Sequence, residues 1–149
     1  MNKILLIDGH SILNRAFYGV PPLTNFEGLH TNAVYGFINI MLKSLEDEHA
    51  DYIAVAFDLK APTFRHEMFA EYKGTRKPMP QELHEQVPVI KELLHKMNIT
   101  TIELPGFEAD DVIGTMSKIG EDAGMDVCVF SGDRDLLQLA SDKVMICIP

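Results

Sequence analysis

A chain of 149 residues, 46% hydrophobic and 23% charged, is long enough for one domain with its own core, and this composition excludes a disordered or low-complexity protein. No stretch approaches the roughly 20 apolar residues of a membrane span, and Ile4 to Ile7 is too short for a signal-peptide core, so no membrane partner and a cytoplasmic location are expected. The net charge of −9 weighs against a polyanionic partner, yet Lys60, Arg65, Lys73, Arg76 and Lys77 place five of the thirteen basic residues in one stretch, so distribution rather than bulk charge decides.

Residues 3–7 read as a buried strand ending at Asp8, with a short helix behind it from Ser11 to Tyr18. Pro21-Pro22 and Gly28 mark Val20 to Leu29 as loop. Val34, Ile38, Met41, Leu42 and Leu45 recur at helical spacing and predict a helix from Asn32 to about Glu46. A strand is expected at 52–57, then a polar, irregular excursion over 59–80 carrying Pro62, Gly74, Pro78 and Pro80. Leu83, Val87, Ile90 and Leu94 predict a helix over roughly 81–97, which Pro88 should kink or restart. Strand 100–104, helix 109–123 closed by Gly124, strand 126–130, helix 134–141 and strand 143–148 complete the series. Cys128 and Cys147 fall inside two of those strands as small hydrophobes, without the spacing of a disulfide frame or a zinc site. Strands alternating with helices imply right-handed crossovers and a mostly parallel sheet, hence a three-layer α/β fold.

Four of the strand-like runs stop at carboxylates: Asp8; Asp58; Glu108, Asp110 and Asp111; Asp133 and Asp135. Ligands of an open α/β sheet sit beyond the carboxyl ends of its strands, so these seven acids are expected to meet in one region. Each has a plain structural reading. Asp8 can cap a helix, Asp58 can form a turn, and the acids at 108–111 and 133–135 open helices where the dipole favours them. Those readings leave a coincidence unexplained, because Ser, Thr or Asn would cap as well, yet every such position is Asp or Glu. Three acids within four residues at 108–111 also exceed what a cap requires. Seven carboxylates in one cleft need cations between them at neutral pH. A set of oxygen donors suits Mg²⁺ or Mn²⁺ better than zinc, and the six histidines form no ligand-spaced pair. Two such ions about 4 Å apart clamp both the attacking and the leaving oxygen of a phosphodiester, so hydrolysis of that bond is the expected reaction.

Two ordered sets of motifs carry a resemblance. The first is Ile7-Asp8-Gly9-His10, Ala33-Val34-Tyr35-Gly36-Phe37, Ala56-Phe57-Asp58, Phe64-Arg65-His66-Glu67 and Tyr72-Lys73-Gly74-Thr75-Arg76. The second is Gly106-Phe107-Glu108-Ala109-Asp110-Asp111 and Ser131-Gly132-Asp133-Arg134-Asp135-Leu136-Leu137-Gln138-Leu139. Over essentially its whole length the chain resembles the 5′ nuclease domains of bacterial DNA polymerase I, which belong to the flap endonuclease superfamily and have a PIN-like fold. The resemblance implies a 5′-3′ exonuclease and flap endonuclease acting on DNA with a 5′ single-stranded end or flap, in RNA primer removal and repair, with two Mg²⁺ for which Mn²⁺ substitutes. Asp8, Asp58, Glu108 and Asp110 look like ligands of the first metal. Asp133 and Asp135, with Asp110 or Asp111 nearby, look like those of the second. Lys73 and Arg76 match basic positions at the base of the family's helical arch, where they would draw the scissile phosphate inward and offset transition-state charge. Tyr72 would stack on a terminal base, and residues 59–80 would form the arch segment that a 5′ end passes. Arg15 reads equally as a phosphate contact or a solvated surface residue.

After the strand equivalent to 143–148 the family continues with two further carboxylates and a duplex-gripping helix-hairpin-helix region, neither present here. Residues 1–149 are therefore expected to be the N-terminal part of a longer polypeptide with C-terminal nuclease and polymerase regions. As a piece, a monomer, it is expected to bind metal weakly and to be slow or inactive on DNA. A free-standing 5′-3′ exonuclease would look similar over this stretch, and a non-catalytic metal- or DNA-binding remnant stays open. A PIN-type ribonuclease would share the chemistry. A receiver-type signalling domain would use fewer acids and leave the 72–77 basic stretch without a role. An aspartyl phosphatase would need an Asp two residues after Asp8, where His10 stands.

Overall fold

The computed structural model describes residues 2–59 and 79–149. The expected arch segment, with Tyr72, Lys73 and Arg76, lies outside the described residues over 60–78. The elements run β1 (Lys3–Asp8), α1 (Gly9–Gly19), α2 (Asn32–Glu48), β2 (Tyr52–Ala56), α3 (Gln81–His84), α4 (Val87–Lys96), β3 (Thr100–Ile102), α5 (Ala109–Asp122), β4 (Asp126–Phe130), a 3₁₀ helix (Arg134–Leu139) and β5 (Val144–Cys147).

All five strands are parallel, in the order β3-β2-β1-β4-β5. The chain thus moves outward from β1 to β3 and then returns across β1 to β4 and β5. Right-handed crossovers in opposite directions place helices on opposite faces of the sheet. Period-two alternation along the strands supplies both cores. Leu5, Ile7, Val55, Phe57 and Cys128 face Ile12, Leu13, Phe37, Met41, Ile90 and Leu94 of α1, α2 and α4. Leu6, Ala54, Ala56, Val127, Val129 and Val144 face Val112 and Ile113 of α5 and Leu136 of the 3₁₀ helix. The three-layer α/β expectation holds, and the sheet is wholly parallel among the described residues.

Helix ends follow from local chemistry. Pro88 sits in the first turn of α4, where its missing N–H is an orphan anyway, so the expected 81–97 helix restarts instead of kinking. Helix α4 closes with Asn98 at φ 60°, while the Ile99 N–H reaches Leu94 O at 2.9 Å. Helix α5 closes the same way at Gly124, φ 80°, with Met125 N–H donating to Gly120 O at 2.9 Å. The expected helix at 134–141 is instead a 3₁₀ helix ending at Leu139. Its opening is tightened by Asp133 Oδ1, which accepts the Asp135 N–H at 2.9 Å.

One buried side chain locks the layer on the α1–α2 face. Gln86 is fully buried; its Oε1 accepts the N–H groups of Ala33 and Val34 at 2.8 and 3.1 Å, supplying partners for the orphan donors that open α2. Its Nε2 donates to Asn32 Oδ1 and to Glu82 O. Asn32 Nδ2 in turn donates to Phe17 O and Val20 O, tying the end of α1 into the same network.

Candidate metal centre

The order of strands reverses between β1 and β4, and the crevice beyond their carboxyl ends is where an open α/β sheet binds ligands. Asp8 ends β1 there and is only 5% exposed. It serves as the N-cap of α1, since Oδ1 accepts the Ser11 N–H at 3.4 Å. Its Oδ2 accepts the Ser131 hydroxyl at 2.8 Å across the reversal. Each carboxylate oxygen has two lone pairs, so capping and metal ligation by Asp8 are compatible. Burial pushes its pKa from 3.8 up to about 6, and the nearby charges of Asp58 and Asp133 push the same way.

Asp58 follows β2 and is half-buried. Its Oδ1 accepts the Ala109 N–H at 2.6 Å, which fastens the tip of β2 to the first turn of α5. The approach of β1 and β2 at this end depends on Gly9, because a Cβ there would overlap the Phe57 ring and lie 2.9 Å from Ala56 O. His10 completes the junction: the Asp58 N–H donates to its Nδ1 at 3.4 Å, and its ring stands edge-on to Phe57. Burial lowers the His10 pKa, which fits a neutral ring accepting at Nδ1.

Glu108 is buried at the N-cap of α5, and Asp111 Oδ2 accepts the Glu108 N–H at 2.9 Å. Asp111 thus performs the capping that an acid at a helix opening can supply. Glu108, Asp110, Asp111, Arg134 and Asp135 line a single open groove of about 1010 Å³, floored by Leu136 and Leu139. Asp133 precedes Arg134 in the chain, and its N–H donates to Ser131 Oγ at 3.0 Å.

The seven acids therefore occupy one end of the sheet in two sets. Asp8, Asp58 and Asp133 surround the strand tips, and Glu108, Asp110, Asp111 and Asp135 line the adjoining groove. Among the described residues no three His, Cys, Asp or Glu side chains stand together at metal-ligand spacing. Asp8, Asp58, Asp111 and Asp133 each accept from a separate backbone or hydroxyl donor. Arg15 is exposed on α1, outside both sets.

Three participants have no separate signal in the sequence. Ser131, fully buried, joins Asp8 to Asp133, and its partner Asp8 lies 123 positions away. Ser11 Oγ accepts the Gly132 N–H and fixes the same turn from α1. Lys91 of α4 pairs with Glu103 at 2.7 Å and lies 5.2 Å from the Phe57 ring centroid, placing a cation behind the Asp58 junction. Only the hydroxyl in Ser131-Gly132-Asp133 hints at the first of these.

The chain has recognisable relatives. The family model described as 5′-3′ exonuclease, N-terminal resolvase-like domain, matches residues 3–148. DNA polymerase I of Bacillus subtilis (strain 168) is 53% identical over 146 residues, 98% of this chain and 17% of that protein. The thermostable DNA polymerase I of Thermus thermophilus is 42% identical over 147 residues, 99% of this chain and 18% of that protein. The chain thus spans less than a fifth of the length of these relatives. Among solved structures, T5 5′-exonuclease with bound zinc superposes with a TM-score of 0.75 at 24% identity, covering 99% of this chain and 55% of that one. T5 flap endonuclease in a pseudo-enzyme-product complex with DNA and metal ions gives 0.74 at 24% identity, with the same coverage. At such identity the likeness bears on the fold, which is PIN-like.

Proposed function

Since the chain belongs to the family of 5′-3′ exonuclease N-terminal resolvase-like domains, we propose that it is the carboxylate-bearing half of a divalent-metal-dependent 5′ nuclease that hydrolyses DNA phosphodiesters at 5′ ends and flaps. The observation that carries this reading is Asp8: a buried acid at the topological reversal, with two further carboxylates near enough to raise its pKa. A fold keeps like charges together at such a cost where a cation offsets them.

The donor set fits the ion. All seven candidates, Asp8, Asp58, Glu108, Asp110, Asp111, Asp133 and Asp135, offer hard oxygen, and His10, the nearby histidine among the described residues, spends Nδ1 on the Asp58 N–H. That chemistry favours Mg²⁺, with Mn²⁺ as substitute, over zinc. Bound divalent ions would supply charge neutralisation of the scissile phosphate and activation of the attacking water. Asp8, Asp58 and Glu108 would hold the inner ion, with Asp110 at its outer side. Asp133 and Asp135 would serve the second, with Asp111 orienting Glu108 through its backbone. Ser131 and Ser11 hold Asp8 and the 131–133 turn in place, a fixed point around which the other carboxylates would close on an ion. Lys73 and Arg76 would draw the phosphate in and offset its charge, and Tyr72 would stack on the terminal base. We assign residues 1–149 as the PIN-like part of the nuclease, with segment 59–80 as its arch. The helix-hairpin-helix and polymerase regions would belong to the same polypeptide, as would a cytoplasmic location and a monomeric state.

Cleavage of a 5′-labelled flap duplex tests the proposal. Hydrolysis should require Mg²⁺ or Mn²⁺, stop with EDTA, and vanish in Asp58→Ala. Where this chain alone is slow, the same variant is compared in a chain extended at its C-terminus. Cleavage that survives EDTA or the substitution would refute the mechanism.

A further inference from the structure

Cys128 and Cys147 are both free, and their sulfurs lie 3.6 Å apart on the sheet face that packs against α1, α2 and α4. They are not cross-strand partners. Cys128 is opposite Met145 and Cys147 is opposite Phe130, so the pair is diagonal across β4 and β5. Strand spacing and two residues of rise put such Cα atoms about 8 Å apart. A disulfide needs Cα atoms within about 7 Å and sulfurs at about 2.05 Å. Bridging this pair therefore requires one strand to shift. Central β4 is hydrogen-bonded on both sides, whereas β5 is a four-residue strand that, among the described residues, pairs only with β4. The strand that yields is β5.

We propose that Cys128 and Cys147 form a redox-active dithiol that peroxides oxidise to an intramolecular disulfide, and that the accompanying shift of β5 is passed to the carboxylate site through Ser131. The two thiols differ in access. Cys147 is partly exposed, whereas Cys128 is wholly buried and its thiol is held protonated by that burial. A peroxide ROOH oxidises Cys147 to the sulfenic acid and leaves as ROH. The Cys128 proton passes to the sulfenic oxygen as the Cys128 sulfur attacks Cys147 Sγ, and the S–O bond breaks with water as the leaving group. One peroxide accepts two electrons and two thiols become one disulfide.

The coupling runs over three hydrogen bonds. Cys147 O accepts the Ser131 N–H at 3.1 Å, Ser131 Oγ donates to Asp8 Oδ2 at 2.8 Å, and Ser131 Oγ accepts the Asp133 N–H at 3.0 Å. A displaced Cys147 carbonyl thus withdraws the partner that holds the Ser131 backbone. Neither metal nor DNA is needed to observe the switch, so it stands or falls apart from the nuclease reading.

The test treats the 149-residue chain with hydrogen peroxide and reads intact mass, free thiols in denaturant and amide exchange at Ser131. The expected result is a monomer with no free thiol that gains two hydrogens and two thiols on treatment with dithiothreitol, a mass difference that oxygen added at the eight methionines leaves untouched. Ser131 should then exchange about tenfold faster or more, local opening being what amide protection reports. Cys147→Ser, a change at a partly exposed position, should retain one thiol and an unchanged Ser131 amide under the same treatment. Oxidation of Cys147 to the sulfinic acid with Cys128 still reduced would overturn the proposal. So would an intermolecular dimer, or a disulfide that leaves Ser131 protection unaltered.

Discussion

Replacing Asp8 with Asn separates what this carboxylate does for the fold from what it does for a cation. Its pKa is raised from 3.8 to about 6, by burial first and then by Asp58 and Asp133. An acid whose folded pKa exceeds its unfolded value binds its proton more tightly in the fold. The stabilisation is present below about pH 4 and is lost as pH rises from about 4 to about 6. At about 1.4 kcal/mol per unit, carrying this charge at pH 8 costs the metal-free chain about 3 kcal/mol. Asn removes the charge, keeps an acceptor for the Ser11 N–H and turns an N–H₂ toward Ser131 Oγ, whose hydroxyl must reorient. That rearrangement costs about 1 kcal/mol.

Asp8→Asn should therefore stabilise the chain in EDTA at pH 8 by about 2 kcal/mol, or about 4–8 °C in Tm for a chain this size. At pH 4 the parent's Asp8 is itself neutral, so the gain should vanish. On the proposed ligand role, saturating Mn²⁺ should reverse the ranking, because a ligand at a hundredfold its Kd stabilises by about 2.7 kcal/mol and the variant would lack one donor to it. Urea denaturation followed by circular dichroism, at pH 4 and pH 8 with EDTA or Mn²⁺, makes the comparison. A variant less stable than the parent in EDTA at pH 8 would refute the electrostatic argument. Equal protection of both proteins by Mn²⁺ would refute the ligand role.

Ser131→Ala removes the donor to Asp8 Oδ2 and the acceptor of the Asp133 N–H, so the chain should lose about 2 kcal/mol at pH 8, and the Asp8 pKa, measured by carboxyl NMR, should rise further above about 6. Gln86→Ala strands the N–H groups of Ala33 and Val34 in the interior and should cost about 3 kcal/mol in urea denaturation with no change in its dependence on Mn²⁺. Gly9→Ala forces a Cβ into the Phe57 ring and should cost about 1–3 kcal/mol, with weaker Mn²⁺ protection because the β1 and β2 tips part; unaltered stability would show that the tips yield freely.

Much of this architecture can be read from the sequence because it rests on local signals. Short apolar runs, the stripe from Val34 to Leu45, the glycine after α5 and the proline in α4 each specify an element by short-range physics. The 3₁₀ helix does not follow from periodicity; the Asp133 side chain caps its opening by accepting the Asp135 N–H, a bond that apolar spacing does not reveal. At the site, the strand tips are legible because acids there stand out against apolar runs. Ser131 and Gln86 are less so, because each acts through partners tens of positions away that only the crossovers bring near. Asp111 shows why residue type alone is ambiguous. Its carboxylate accepts the Glu108 N–H, so one of the acids counted beyond the need for a cap is serving as one.

The graded burial of these acids orders their roles. Asp8 is 5% and Glu108 6% exposed, Asp58 and Asp133 are half-buried, and Asp135 faces solvent. Desolvation makes a charge costly in proportion to burial and makes its interaction with a cation correspondingly strong. Asp8, whose pKa burial raises, is thus the acid that a metal-free fold holds at greatest expense and the one that would gain most from a nearby cation. Asp135, already solvated, gains little from a nearby cation and loses little without one. On the proposed reading a site built on this gradient would fill from the inside: a first ion would go to the tips of β1 and β2 beside Asp8, and a second at Asp133 and Asp135 would be held more weakly and exchange with solvent more readily.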